Sequence, residues 1–115
     1  MDAGDCYREA RDMKGRFMFA ATLLTAGPAA AAEHVIRMAG LQYMPAEIRA
    51  AKGDSLRFVN DDETAHDVYV PTVGFGLDLG KQEPGEERTT VLRQRGVFEV
   101  ECVFHPHMLL TVTVE

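Results

Sequence analysis

A small all-β sandwich or barrel is the fold class this sequence predicts, and three observations predict it. Short runs of alternating apolar and polar residues recur with turn residues between them. No stretch carries a convincing 3.6-residue apolar period, so no helix is expected. The 115 residues, 46% hydrophobic and 26% charged, leave room for one domain and are too apolar for wholesale disorder.

The chain does not start with that domain. Residues 1–12 are polar and mixed in charge. Met13–Ala32 (M-K-G-R-F-M-F-A-A-T-L-L-T-A-G-P-A-A-A-A) then brings two cations, an apolar block from Phe17 to Leu24, the helix breakers Gly27-Pro28 and a run of alanines. This is the pattern of a cleaved secretory signal peptide. The block is aperiodic, which argues against a core helix, and it is too short to span a bilayer. Cleavage is expected after Ala32, with a cut after Ala31 as the alternative. Acidic residues before the apolar block are out of place in a signal, so translation is expected to begin at Met13, which leaves Cys6 outside the protein. The expected organisation is an extension plus signal over 1–32 and a folded domain over 33–115, exported to the periplasm with no stable membrane insertion.

Within the domain the elements follow in order. His34–Ala39 reads as a strand, Ala46–Ala50 as a second after Met44-Pro45, and Lys52-Gly53-Asp54 as a turn. Ser55–Asn60 alternates with Leu56 and Phe58 on one face. Asp61–Ala65 is a polar loop, and Asp67–Val70 is a short strand ended by Pro71. Val73–Gly85, with glycines ahead of Pro84-Gly85, reads as a long irregular connection. Glu87–Arg93 is a strand, and Gln94-Arg95-Gly96 turns the chain. Val97–Cys102 sets Phe98, Val100 and Cys102 inward, and Leu110, Val112 and Val114 alternate to the end. About seven or eight short strands are expected.

Charge sharpens the picture. Residues 1–32 hold four basic and four acidic side chains, so the net charge of −6 falls on Glu33–Glu115, which has eight basic and fourteen acidic ones. So acidic a domain lacks the basic face that phosphate contact needs, and no nucleic acid is expected as partner.

A domain this small usually needs a disulfide or a metal, and one remaining cysteine permits no disulfide. A lone thiol in an exported chain itself calls for explanation. Cys102 stands at a strand end on the inward face, in the spacing Cys102-x2-His105-x2-Met108, with Pro106 stiffening the loop. His66 lies where the polar loop meets the next strand, and a sandwich can bring the two loops together at one end. Two imidazoles, a thiolate and a weak axial thioether form the ligand field of an electron-transfer copper site. Three other readings stay open. Cys102 is a plain buried thiol; or Cys102, His66, His105 and His107 hold zinc, which leaves Met108 without a role; or, after a cut at Ala31, Ala32-Glu33-His34 forms an amino-terminal copper chelate. No nucleophile–base pair or second metal cluster is evident, so a stand-alone enzyme is not expected.

At these residues the chain resembles the cupredoxins, the blue (type 1) copper proteins, and most closely their amicyanin, pseudoazurin and plastocyanin branch. The resemblance spans Glu33–Glu115 and rests on Met44–Asp62, the A-H-D-V around His66, Phe75–Gly85, Gly96–Met108 and the final T-V-T-V-E. It implies a Greek-key β-sandwich, one copper held by His66, Cys102 and His105 with Met108 axial, and soluble one-electron transfer. Partners would be redox proteins such as a c-type cytochrome and a dehydrogenase, met by a monomer. His105 would be the port, with Pro71, Pro106, Met108 and Leu109 as an apolar docking patch; Asp61, Asp62, Glu63 and Asp67 would steer a basic partner or else form a merely solvated acidic face. Copper storage or delivery, or a binding module with little redox role, are the alternative functions.

Two departures from the family stand out. Asp67 replaces the usual Asn, whose side chain ties the ligand loops together, and its charge would favour Cu(II). Val103-Phe104 replaces Thr-Pro, and Phe104 restores a backbone N–H near the Cys102 sulfur.

Overall fold

The computed structural model describes residues 30–115. The signal-peptide reading, the Met13 start and Cys6 lie outside the described residues. No described helix is long and apolar enough to cross a membrane.

Nine strands form the domain: β1 (Glu33–Ala39), β2 (Gln42–Met44), β3 (Glu47–Ala50), β4 (Ser55–Asn60), β5 (His66–Val70), β6 (Leu77–Gln82), β7 (Glu87–Val91), β8 (Gly96–Cys102) and β9 (His105–Val114). They make a four-stranded sheet in the order β2-β1-β4-β7 and a five-stranded sheet in the order β3-β9-β8-β5-β6. The chain passes back and forth between the sheets. β1 runs parallel to β4 and β3 parallel to β9, while the other pairs are antiparallel.

Period-two patterning builds the core. Ile36, Met38, Leu56 and Phe58 face inward from the first sheet, and Val68, Val70, Phe98, Val100, Leu110 and Val112 meet them from the second. The expected inward set of β8 holds, with Phe98, Val100 and Cys102 buried and Glu99 exposed. The expected alternation in β9 holds as well.

Three expectations need correction. The connection read over Val73–Gly85 contains a strand, β6, whose Leu77 and Leu79 are half-buried against the core. Its glycines masked that alternation. β2 was not expected, because three residues are too few for a pattern. It forms because Gly40 and Leu41 both take positive φ (61° and 59°) and close a two-residue hairpin pairing Ala39 with Gln42. The last strand begins at His105, not Leu110, so the loop after Cys102 shrinks to a two-residue turn at Val103-Phe104.

The Asp54 carboxylate fastens the start of β1. It accepts from the Ala32 backbone N–H at 2.9 Å, from the Ala51 N–H at 2.9 Å and from His34 Nε2–H at 2.9 Å. His34 is thus engaged, and Glu33 and His34 sit in the β1–β4 ladder, which an amino-terminal chelate would have to break. The His34 hydrogen bond, followed by the two backbone N–H groups, pulls the Asp54 carboxyl down to about 2 from an ordinary 3.8. A carboxyl whose folded pKa is depressed adds stability above its unfolded pKa, and that stability disappears as the pH falls toward the folded value. Asp54→Asn is therefore expected to lower the thermal midpoint at neutral pH and to flatten the loss of stability between pH 3.8 and about 2. Melting curves of both proteins across that range check this.

Candidate metal centre

The centre lies where β5, β8 and β9 meet at one end of the second sheet. His66 opens β5, Cys102 closes β8 and His105 opens β9. One ligand atom from each lies within 4.8 Å of the others. The Cys102 Sγ is 3.9 Å from His66 Nδ1 and 3.7 Å from His105 Nδ1. The two rings meet edge to face with centroids 4.9 Å apart.

These separations suit a metal. Bonds of about 2.0–2.3 Å from one centre set N and S donors about 3.5–4 Å apart. The donors are a free buried thiol and two imidazoles that present the same nitrogen to it. Among the described residues this is the cluster that could hold an ion, and His107 does not belong to it. The four-ligand zinc set with His107 is therefore not assembled. Met108 is fully buried on β9, three residues beyond His105.

The surroundings keep the donors in place. Asn60, also fully buried, wires the loop that leads to His66. Its Nδ2 donates to the Thr64 and Gln82 carbonyls, and its Oδ1 accepts from the Asp62 N–H. Tyr43 reaches across from β2 in the opposite sheet. Its hydroxyl points at two carbonyls, Asp67 O at 2.6 Å and Glu101 O at 3.0 Å, each next to a ligand candidate. Burial pushes the phenol pKa up, with Cys102, Asp67 and Glu101 adding to it, so the hydroxyl keeps its proton and donates. Neither Asn60 nor Tyr43 was picked out from the sequence. Tyr43 meets backbone atoms of two other strands, and Asn60 joins the loop that follows it to the backbone of β6. No residue pattern announces such partners.

The two departures from the family read differently in three dimensions. Among the described residues the N–H aimed at the Cys102 sulfur is that of Asp67, at 3.4 Å, not that of Phe104. The Asp67 side chain does not tie the loops, for its Oδ1 is buried without a partner. Desolvation, and then the charge of Asp78, push its carboxyl above the ordinary carboxylate range. Tyr43 does the tying instead.

The expected acidic patch is largely committed elsewhere. Asp61 pairs with Arg37 at 2.7 Å, Asp62 bonds to His66 and to backbone N–H groups, and Asp67 is buried. Burial opposes the ionised form of Asp62, yet the His66 ring and the Leu41 and Gly40 N–H groups hold its carboxyl below the usual range. The apolar patch also changes membership. Met108 is buried, Pro71, Pro106 and Leu109 are exposed as expected, and Val103 and Phe104, which adjoin half-buried His105 in the chain, are exposed as well.

Comparison with known proteins agrees with this architecture. Residues 30–115 match the copper binding proteins of the plastocyanin/azurin family. The chain is 30% identical over 80 residues to the methylamine utilization protein MauL of Methylorubrum extorquens, an alignment covering 69% of this chain and 70% of that protein. Among solved structures, a Cu(I) form of an amicyanin mutant superposes with a TM-score of 0.69 at 22% identity, over 76% of this chain and 86% of that one. The copper-containing nitrite reductase of Thermus scotoductus also superposes with a TM-score of 0.69 at 21% identity, but over only 24% of its own length. On the strength of the profile match and the MauL alignment, this chain belongs to the plastocyanin/azurin family of copper-binding proteins, as a cupredoxin of electron transport whose cofactor is copper.

Proposed function

We propose that the protein is a soluble periplasmic one-electron carrier with His66, Cys102 and His105 as equatorial copper ligands and Met108 as the axial one. The observation that carries this is the convergence of a free, buried thiol and two Nδ1 atoms at the ends of paired strands. Bound copper supplies a couple between Cu(II) and Cu(I). The protein's part is to keep its donors still, because a carrier whose ligands need not move exchanges electrons readily. His66 and Cys102 are buried, and the turn at Val103-Phe104 ties Cys102 directly to His105.

Half-buried His105, with Val103, Phe104 and Leu109 exposed near it, offers an apolar face for short-lived docking. Partners on this reading are redox proteins, a c-type cytochrome and a dehydrogenase, met by a monomer. The methylamine utilization relative supports a place in the use of methylamine. The cations, apolar block and alanines of Met13–Ala32, a secretory-signal pattern, support the periplasmic location.

Copper titration of the mature chain tests the reading. The expected result is an intense blue thiolate-to-copper absorption at one equivalent and a reversible one-electron wave. A colourless protein that prefers zinc defeats the proposal. Rapid release of copper to an acceptor without reversible redox moves it to a delivery role.

A further inference from the structure

This inference rests on the copper reading above. We propose that Asp62 is a positioning residue of the centre: its carboxylate, gripped by the left-handed Gly40-Leu41 turn, fixes the His66 imidazole and makes it a stronger donor to copper.

The geometry is complete on all sides of the carboxylate. Oδ1 accepts the Gly40 N–H at 2.7 Å, and Oδ2 accepts the Leu41 N–H at 3.0 Å. Oδ2 also faces His66 Nε2 at 2.6 Å. With three donors on two oxygens the group has no freedom to rotate. Its own backbone N–H is held by Asn60 Oδ1. The carboxylate accepts the Nε2 proton and so leaves Nδ1, the nitrogen facing Cys102, bare for a metal.

A second, independent feature points the same way. Leu41 sits at φ 59°, in the left-handed region that a bulky side chain disfavours. Such turns ordinarily use Asn-Gly, and Leu41 recovers little by burial because it is 48% exposed. In this conformation the two consecutive N–H groups converge on Asp62. The strained turn thus serves as an anion holder at the tip of the β1–β2 hairpin, and it acts on the metal through one imidazole.

The chemical consequence has a definite sign. An anion accepting the Nε2 proton raises the basicity of Nδ1. A more basic nitrogen favours Cu(II) over the softer Cu(I), so Asp62 lowers the reduction potential.

Asp62→Asn tests this, because it preserves shape and an acceptor oxygen while removing the charge. Cu(II) affinity is expected to fall about tenfold, with Cu(I) affinity little changed. That corresponds to a potential raised by about 59 mV, read by voltammetry on a protein that stays blue. A second arm needs no metal. In the copper-free protein, 15N NMR is expected to show His66 as the Nε2–H tautomer, and Asp62→Ala is expected to mix the two tautomers. A potential in Asp62→Asn equal to or below that of the parent overturns the proposal. So does a metal-free His66 whose tautomer is the same in the parent and Asp62→Ala. If the parent takes no copper into a blue site, the copper reading falls, and the NMR arm alone then decides the role of Asp62.

Discussion

Cys102→Ser is expected to leave a folded but colourless protein. The Ser hydroxyl matches the thiol in shape and stays protonated at neutral pH, so the site loses both the anionic ligand and the covalency behind the blue absorption. Copper affinity is expected to fall by more than the about 10–100-fold seen when only an outer partner of a ligand is removed. The metal-free fold should lose about 1–3 kcal/mol, because a hydroxyl replaces a thiol that is 3% exposed in an apolar setting. The reconstituted visible spectrum and a denaturant titration read these two effects separately. A blue band that persists in Cys102→Ser would remove Cys102 from the ligand set. If the zinc alternative applied, the parent itself would be colourless.

Tyr43→Phe is expected to lower stability without touching any proposed ligand. One hydroxyl serves two buried carbonyls, Asp67 O and Glu101 O, and both lose that donor in the variant. Leaving buried acceptors in this state costs about 1–3 kcal/mol, a sizeable share of the total for so small a domain. The thermal midpoint should fall by about 4–8 °C for each kcal/mol lost. The effect should also reach the metal. β5 and β8, which carry His66 and Cys102, share a single ladder pair, Tyr69 with Glu101. Beyond it, near the site, the Tyr43 hydroxyl and the Asp67 N–H on the sulfur also join them. The blue band of Tyr43→Phe is expected to shift or broaden, whereas Tyr69→Phe, on an exposed side chain, should leave it unchanged. An unaltered melting curve and spectrum in Tyr43→Phe would show that the strands hold their spacing without the phenol.

Tyr43 also marks the limit of what could be read from the sequence. Ligand candidates are legible because their chemistry is rare and their spacing short: Cys102, His105 and Met108 fall within seven residues, and His66 opens a strand. The alternating strands are legible for the same reason, since period-two burial leaves a mark on composition. Asp62, Asn60 and Tyr43 leave none. Tyr43 meets partners 24 and 58 positions away. Counting charges does not reveal that Asp61 holds Arg37 or that Asp67 is buried. β6 escaped because glycine weakens a strand pattern without preventing the edge pairing that forms it.

The place of β9 in the sheet carries a consequence for the order in which the molecule is made. β9 runs parallel to β3 and antiparallel to β8, and it supplies both His105 and Met108. A chain interrupted before this strand contains His66 and Cys102 but neither of the other two proposed ligands, and it leaves β3 and β8 without their shared neighbour. A product that stops short of β9 therefore lacks two of the four proposed ligands, and the full proposed set exists only once the last strand is made.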